Sequence, residues 1–482
     1  MRISKAHLPF WIFSISIIIG LSLPILVQEG MFQDGVLYTC VSRNLAEGIG
    51  NFWFLQYSTL NLEGIPSFHE QPPLFFGIQA VFFWIFGDSI YVERVFTFVM
   101  LLMHFYLINE LWKIIVSNIP KYHNFGWLPV FFWAIIPVSF WSFRHNMIEN
   151  TMSLFILLAV ILGYRSLKQG RTDTKSWIFV GIFIFFATFS QCVPGLFPLV
   201  LPMAFALAFR KYDFKSVIVP TLIMVTALGI IYSAILLFPD ARESLSIYFY
   251  ERLLRRVDTM PTVGHRFFII YKLFVELLPG LMVMISLLVA RRKQINSSSI
   301  VSMFGNDILF FVLLGLAGTL PLMLTMVQKS WYMLPALPFF AIAFALITLD
   351  KVEKIVKIFS EQYPTRFNVF SKIAYILFFS IIIFSITKIG SVSREKEIIE
   401  DVKTIGMIVP KHSTIGIPEC IYDQYDFVLQ GYLVRYFHIS IDPYTRRKYF
   451  ITLNDELDEV PSSYEQIPLT LKKYALFVSK GQ

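Results

Sequence analysis

Pro72-Pro73-Leu74-Phe75-Phe76-Gly77-Ile78-Gln79-Ala80-Val81-Phe82-Phe83-Trp84-Ile85-Phe86-Gly87 is apolar enough for a membrane span, yet it is short and opens on a Pro-Pro pair. Whether 73–87 crosses decides the direction of every later segment. Eleven other apolar stretches are candidate spans: 10–27, 92–112, 126–141, 149–164, 177–190, 195–209, 217–238, 267–290, 307–327, 331–349 and 373–389. If the N-terminus is cytoplasmic and 73–87 stays on one side, 19 Lys and Arg fall in cytoplasmic segments. Only eight then fall in the outward loops before the last span. If 73–87 crosses, the basic loop 165–176 faces outward, against the excess of Lys and Arg that cytoplasmic loops carry. The stretch is therefore expected as a helix lying in or dipping into the outer interface. The chain then has eleven spans, its N-terminus inside and its C-terminus outside.

Composition points the same way. Of 482 residues, 56% are hydrophobic and 15% charged, with a mean hydropathy of +0.63. A soluble domain of this size carries charge on about a quarter of its residues. An integral membrane protein with many spans is expected. The first run, 10–27, follows Arg2 and Lys5 and lacks a small-residue cleavage site, so it reads as an uncleaved anchor. Cys40, Cys192 and Cys420 lie too far apart for a disulfide framework or a zinc pattern. The net charge of +8 follows from basic cytoplasmic loops and needs no nucleic acid.

The run 177–209 makes a helix of roughly 50 Å, too long for one span. Ser190-Gln191-Cys192-Val193-Pro194-Gly195 breaks it into two short ones with an outer turn. After residue 389 the composition becomes mixed, with a helical pattern at 393–405 and strand-like runs at 414–417, 431–437, 448–453 and 474–479. Two domains are expected: a transmembrane one, 1–389, with its first outer loop at 28–91, and a small extracytoplasmic α/β domain, 390–482. No internal repeat stands out, which weakens an inverted-repeat transporter reading.

Five outward features carry candidate chemistry. Asp34, in Asp34-Gly35-Val36-Leu37-Tyr38, precedes a helix-like stretch and either caps it or serves as a general base near the membrane surface. Glu70-Gln71-Pro72-Pro73 leads into the interfacial helix. Glu149 opens a span at or near hydrocarbon depth, where a carboxylate needs a partner or a task; helix N-terminal stabilisation is the alternative. The loop 239–266 holds Arg242, Arg252, Arg255, Arg256, His265 and Arg266 against the charge rule. Such a cluster suits a lipid phosphate or diphosphate, or anionic headgroups. Lys329, before Trp331 and Tyr332, either binds phosphate or snorkels beside an aromatic belt.

Taken in order, these stretches resemble the GT-C membrane glycosyltransferases, most closely the protein O-mannosyltransferases and the lipid A aminoarabinose transferase. The resemblance runs over roughly residues 8–350. Asp34-Gly35 and Tyr38 match an acidic first-loop motif, and Gln71-Pro72-Pro73-Leu74 a Lys-Pro-Pro-Leu-like stretch. Glu149 matches a second acid, Ser190-Gln191-Cys192 a Thr-Lys-Gly-like turn, and Tyr332-Met333-Leu334-Pro335-Ala336-Leu337-Pro338 a Tyr-x-Leu-Pro-x-x-Pro span. Three departures stand out. Gly35 replaces the second acid of the first motif, and Gln71 and Gln191 stand where Lys is common.

The resemblance implies a polytopic α-helical fold of about 11–13 spans plus interfacial helices. It also implies inverting sugar transfer from a polyprenyl-phosphate donor to a lipid, glycan or protein acceptor on the outer leaflet. In these terms Asp34 is the base, and Arg255, Arg256, His265 and Lys329 hold the leaving phosphate. Glu149 orients the sugar or a cationic partner, while Tyr38, Glu70, Gln71, Gln191 and Tyr332 shape the pocket. No cofactor is firmly implied, and a divalent metal has little support, because neither Asp34 nor Glu149 sits in a dense ligand cluster. The partners are the donor, the acceptor and the bilayer. A bacterial inner membrane is expected, since the chain is compact and ends without an endoplasmic-reticulum retrieval signal. The rival readings are a transporter or flippase of lipid-linked sugars and a noncatalytic scaffold.

Overall fold

A computed structural model describes residues 4–60, 67–170, 173–211, 213–254, 261–289, 303–425, 427–444 and 446–480. The elements pack as two units. One comprises Met1–Ile25, Thr97–Arg144 and Ile148–Lys388; the other comprises Leu26–Phe96, His145–Met147 and Ile389–Gln482.

Among the described residues, nine helices are long and apolar enough to cross a membrane. They are Leu8–Leu26, Val92–Ile115, Ile148–Gln169, Thr174–Gln191, Phe214–Ile235, Phe268–Val289, Gly305–Leu324, Ser330–Glu361 and Pro364–Thr387. The chain is a multi-pass integral membrane protein. Each of the nine covers one of the eleven expected spans. The other two expected spans are helical but do not reach spanning length as straight helices. The stretch at 126–141 bends by 81° between Pro120–Ala134 and Pro137–Arg144, because Pro137 has no N–H to continue the ladder and disfavours helix in the residue before it. The stretch at 195–209 lies within the shorter Val193–Phe209. Its first turns are 3-10, and Pro194, Pro198 and Pro202 each remove a donor.

The first unit is built around the helix within Ser330–Glu361, whose apolar window is 89% buried, against 11% for Phe214–Ile235 and Pro364–Thr387. The latter two expose Leu222, Ile230, Ile376, Phe379 and Ile383. That is the surface a bilayer tolerates, because their backbone polar groups are satisfied within the helix.

The second unit places the helix Gln33–Ala46 against Leu74–Phe86 and Phe427–Phe437. The 73–87 stretch is the 13-residue helix Leu74–Phe86, which buries Phe75, Phe76, Gln79, Ala80 and Phe83 and exposes Val81, Trp84, Ile85 and Phe86. Residues 389–482 contribute the helix Lys396–Gly406, near the expected 393–405. They also form a mixed sheet of β1 (Thr414–Gly416), β2 (Ser440–Asp442), β3 (Tyr449–Leu453), β4 (Tyr464–Gln466) and β5 (Tyr474–Ser479), ordered β2-β1-β3-β5-β4. β1 runs parallel to β2 and β3, and β5 antiparallel to β3 and β4. The expected strand 431–437 is instead the end of the helix Phe427–Phe437. Seven consecutive buried residues, 429–435, leave no polar face to betray the helical period.

Two buried arginines tie this unit together. Arg43, 1% exposed, donates Nη1 to the carbonyls of Val434 (2.9 Å) and Arg435 (2.8 Å), and Nη2 to Asn44 Oδ1 (2.7 Å). Arg435, 2% exposed, donates to Asp88 Oδ1 (2.6 Å), Glu93 Oε2 (3.0 Å) and the Ser89 carbonyl (2.8 Å). Arg94 meets the other Glu93 oxygen at 2.7 Å. Burial on its own disfavours the Arg435 charge, but Glu93 and Asp88 outweigh it and raise its pKa. Arg435→Met is expected to destabilise this unit by about 3 kcal/mol, the low end for breaking a buried pair because Glu93 keeps Arg94. A melt of the purified protein in detergent reads this, and an unchanged midpoint overturns it.

Candidate active site

The candidate residues fall in both units. In the second, Asp34 stands half-buried in the first turn of Gln33–Ala46, where the positive end of the helix favours a carboxylate. The cap position belongs to Phe32, which offers no side-chain bond, so Asp34 lies two residues beyond it. The backbone just ahead of the helix is held by side chains from distant segments. Met31 N–H donates to Tyr432 Oη (3.0 Å), and Phe32 N–H donates to His145 Nδ1 (3.2 Å). That bond needs the His145 Nδ1 lone pair.

The 145–147 turn docks on the same helix. Asn146, in the left-handed region at φ 51°, donates to Thr39 Oγ1 (3.0 Å) and accepts from Gln79 Nε2 (2.8 Å). A Cβ on Gly35 would lie 1.9 Å from the His145 carbonyl oxygen. Main chain therefore fills the place that a side chain at Gly35 would take.

Tyr38 is buried, its ring edge-on to Phe75 (5.8 Å) and Phe76 (5.9 Å). Glu70 and Gln71 are half-buried in the turn before Leu74, beside His69, which pairs with Ser67 Oγ (2.6 Å).

In the first unit, Glu149 is 1% exposed in the first turn of Ile148–Gln169. Gln191, at the end of Thr174–Gln191, donates Nε2 to Glu149 Oε1 at 2.6 Å. A buried amide thus meets the Glu149 carboxylate. The 3-10 turn Ser330–Ala336, which carries Tyr332, packs against Ile148–Gln169 and Pro137–Arg144, with Trp331 stacked on Trp141 at 5.3 Å. Lys329 is half-buried, its Nζ 5.7 Å from the Trp331 ring. His265 is exposed, 6.2 Å from Phe268 ring to ring.

The backbone ties their two segments together. Thr262 N–H donates to the Met326 carbonyl (2.9 Å), and Gln328 Nε2 donates to the Arg266 carbonyl (2.8 Å). Gln328 Oε1 accepts from Ile269 N–H (2.9 Å). The chain therefore gathers Lys329 and His265 on one joined pair of loops. Arg255 and Arg256 lie outside the described residues.

Two structural residues escaped the sequence reading. Gln328 gave no signal. Glu276 did, as a carboxylate inside the apolar helix Phe268–Val289; its Oε2 accepts from Val138 N–H (2.8 Å) at the start of Pro137–Arg144.

Burial pushes the Cys40 thiol up to about 12 and raises that of Cys192, so neither is poised as a thiolate. Among the described residues, Glu47, Asp88 and His438 form a group of metal-ligand type. Asp88 already bonds Arg435. Burial alone raises its carboxyl, yet His438, Arg435 and Arg43 hold it below the usual range. The arrangement is an ion-pair cluster.

Solved structures share this architecture. ArnT from Cupriavidus metallidurans bound to undecaprenyl phosphate aligns with a TM-score of 0.64 at 11% identity, over 97% of each chain. The chain has the GT-C fold of ArnT. The apo state of ArnT aligns with a TM-score of 0.63 at 10% identity, over 96% of this chain and 95% of that one. The Archaeoglobus fulgidus oligosaccharyltransferase, tethered with an acceptor peptide containing the NVT sequon, aligns with a TM-score of 0.50 at 10% identity. That match covers 99% of this chain and 74% of the other. No family model and no curated protein sequence matches the chain.

Proposed function

We propose that this protein is a lipid-linked-donor glycosyltransferase that moves a sugar from a polyprenyl phosphate to a lipid, glycan or protein acceptor. The reading is supported above all by the full-length likeness to an ArnT structure bound to undecaprenyl phosphate. The acceptor hydroxyl or amine attacks the anomeric carbon from the face opposite the phosphate, so the configuration inverts. The new bond forms as the bond from the anomeric carbon to the phosphate oxygen breaks, and the acceptor proton passes to Asp34. A half-buried carboxylate in a helix's first turn suits that role, because it is fixed in direction yet reachable.

Lys329 and His265, on joined loops, hold the departing phosphate together with Arg255 and Arg256. Glu149, fixed by Gln191, orients the sugar. Tyr38, Glu70, Gln71 and Tyr332 shape the pocket. The chemistry runs at the outer face of a bacterial inner membrane, with the N-terminus cytoplasmic and residues 390–482 forming the outer domain.

The test is transfer of radiolabelled sugar from extracted polyprenyl-phosphate donors in membranes containing the protein. Label arriving in a lipid, glycan or protein fraction supports the proposal and names the acceptor class. Label that stays on its carrier and crosses the bilayer overturns it in favour of a flippase.

A further inference from the structure

Residues 29–32, immediately before the Asp34 helix, are enclosed by the C-terminal segment. Glu29 N–H donates to the Ser391 carbonyl and Ser393 N–H to the Glu29 carbonyl, each at 2.8 Å, a parallel bridge. The Glu29 carboxylate meets Lys403 (2.8 Å) and the Tyr436 hydroxyl (3.1 Å). Gly30, at φ 91°, lets the chain pass so close to Arg394 that a Cβ would lie 2.7 Å from its carbonyl oxygen. The Arg394 guanidinium sits 5.8 Å from the centre of the Phe32 ring.

Tyr432 completes the enclosure. Its oxygen accepts the Met31 N–H (3.0 Å), and its hydroxyl lies within donating distance of Glu395 Oε2 (2.8 Å) and the Met31 carbonyl (3.2 Å). The ring is 2% exposed, and burial holds the phenol neutral well above its usual range. Met31 directly precedes the Phe32 cap and is three residues from Asp34, so its two bonds to Tyr432 fix where the chain enters that helix.

We infer that Tyr432 is a positioning residue for Asp34, and that the C-terminal segment acts in the reaction by setting the helix that carries the base. The inference rests on Asp34 being the base. Its signature is a fall in kcat without loss of donor binding, because a small misdirection of the base is felt only in the transition state.

The experiment measures kcat, donor KM and melting midpoint on the full-length protein for Tyr432→Phe, Glu395→Gln, Tyr464→Phe and Asp34→Asn. Tyr464→Phe is the control, removing a part-buried hydroxyl bond to the Arg447 carbonyl at 2.5 Å in the sheet of the same unit. Tyr432→Phe is expected to lower kcat about tenfold, with KM within about twofold, and to melt like Tyr464→Phe. Glu395→Gln should lower kcat in the same sense, and it carries the test should Tyr432→Phe accumulate poorly. If Asp34→Asn is inactive while Tyr432→Phe and Glu395→Gln turn over like Tyr464→Phe, the positioning role is overturned and the base survives. If Asp34→Asn retains the full rate, the base assignment falls and this inference falls with it.

Discussion

Asp34→Asn is expected to lower sugar transfer by about 10²–10⁴-fold, the usual contribution of a positioned general base. The substitution keeps size and shape and removes the negative charge, and with it the ability to take a proton. Loss of the charge from the first turn of Gln33–Ala46 costs about 0.3–1 kcal/mol of helix stabilisation, too little to unfold a unit braced by the Arg43 and Arg435 contacts. Membranes with equal amounts of the two proteins, given the same labelled donor, separate loss of chemistry from loss of protein. Equal rates would falsify the role of Asp34 as base.

Gly35→Glu, which places a second acid beside Asp34, is expected to abolish accumulation of the folded protein. Gly35→Ala should destabilise it by more than about 3 kcal/mol. The obstacle is main chain rather than a movable side chain. The His145 carbonyl oxygen lies 1.9 Å from the position of a Cβ, and Asn146 and its bonds to Thr39 and Gln79 hold that turn in place. Making room means breaking those bonds and releasing Phe32 N–H from His145. Melting of Gly35→Ala in detergent tests the point, and a wild-type midpoint would show that the turn is not docked as described. An acid added at this position therefore cannot convert the chain to a two-acid motif without first dismantling the site.

Much of the membrane architecture was legible because hydropathy, length and charge asymmetry act locally. The placing of 73–87 as a short helix came from the basic loop 165–176, and the break before Val193 from its Pro and Gly residues. The bend before Pro137 was also written in the chain, but an apolar run conceals it from any count of length. The helix Phe427–Phe437 was hidden for a different reason: its burial on all sides erases periodicity. Of the candidate site, Glu149 and Gln191 were found as separate motifs, whereas their 2.6 Å bond was not foreseeable. The same holds for the holding of Met31 by Tyr432, whose partners lie 401 residues apart. Pairings at that separation leave no mark on local composition. Gly35 is the intermediate case, since the sequence displayed the departure and only the packing supplied its cause.

The enclosure of residues 29–32 by 391–393 and Tyr432 also sets an order of assembly. Synthesis runs from the N-terminus, so the helix bearing Asp34 leaves the ribosome well before residues 391–393 and Tyr432, which hold the backbone just ahead of it. A chain made only as far as residue 389 carries all nine long apolar helices found among the described residues, yet lacks the bridge at 391–393 and the Tyr432 bond. On the proposed reading of Asp34 as the base, competence for chemistry begins only once Tyr432 has been made and has docked on Met31, so a nascent chain shorter than that is spared reaction with the donors around it.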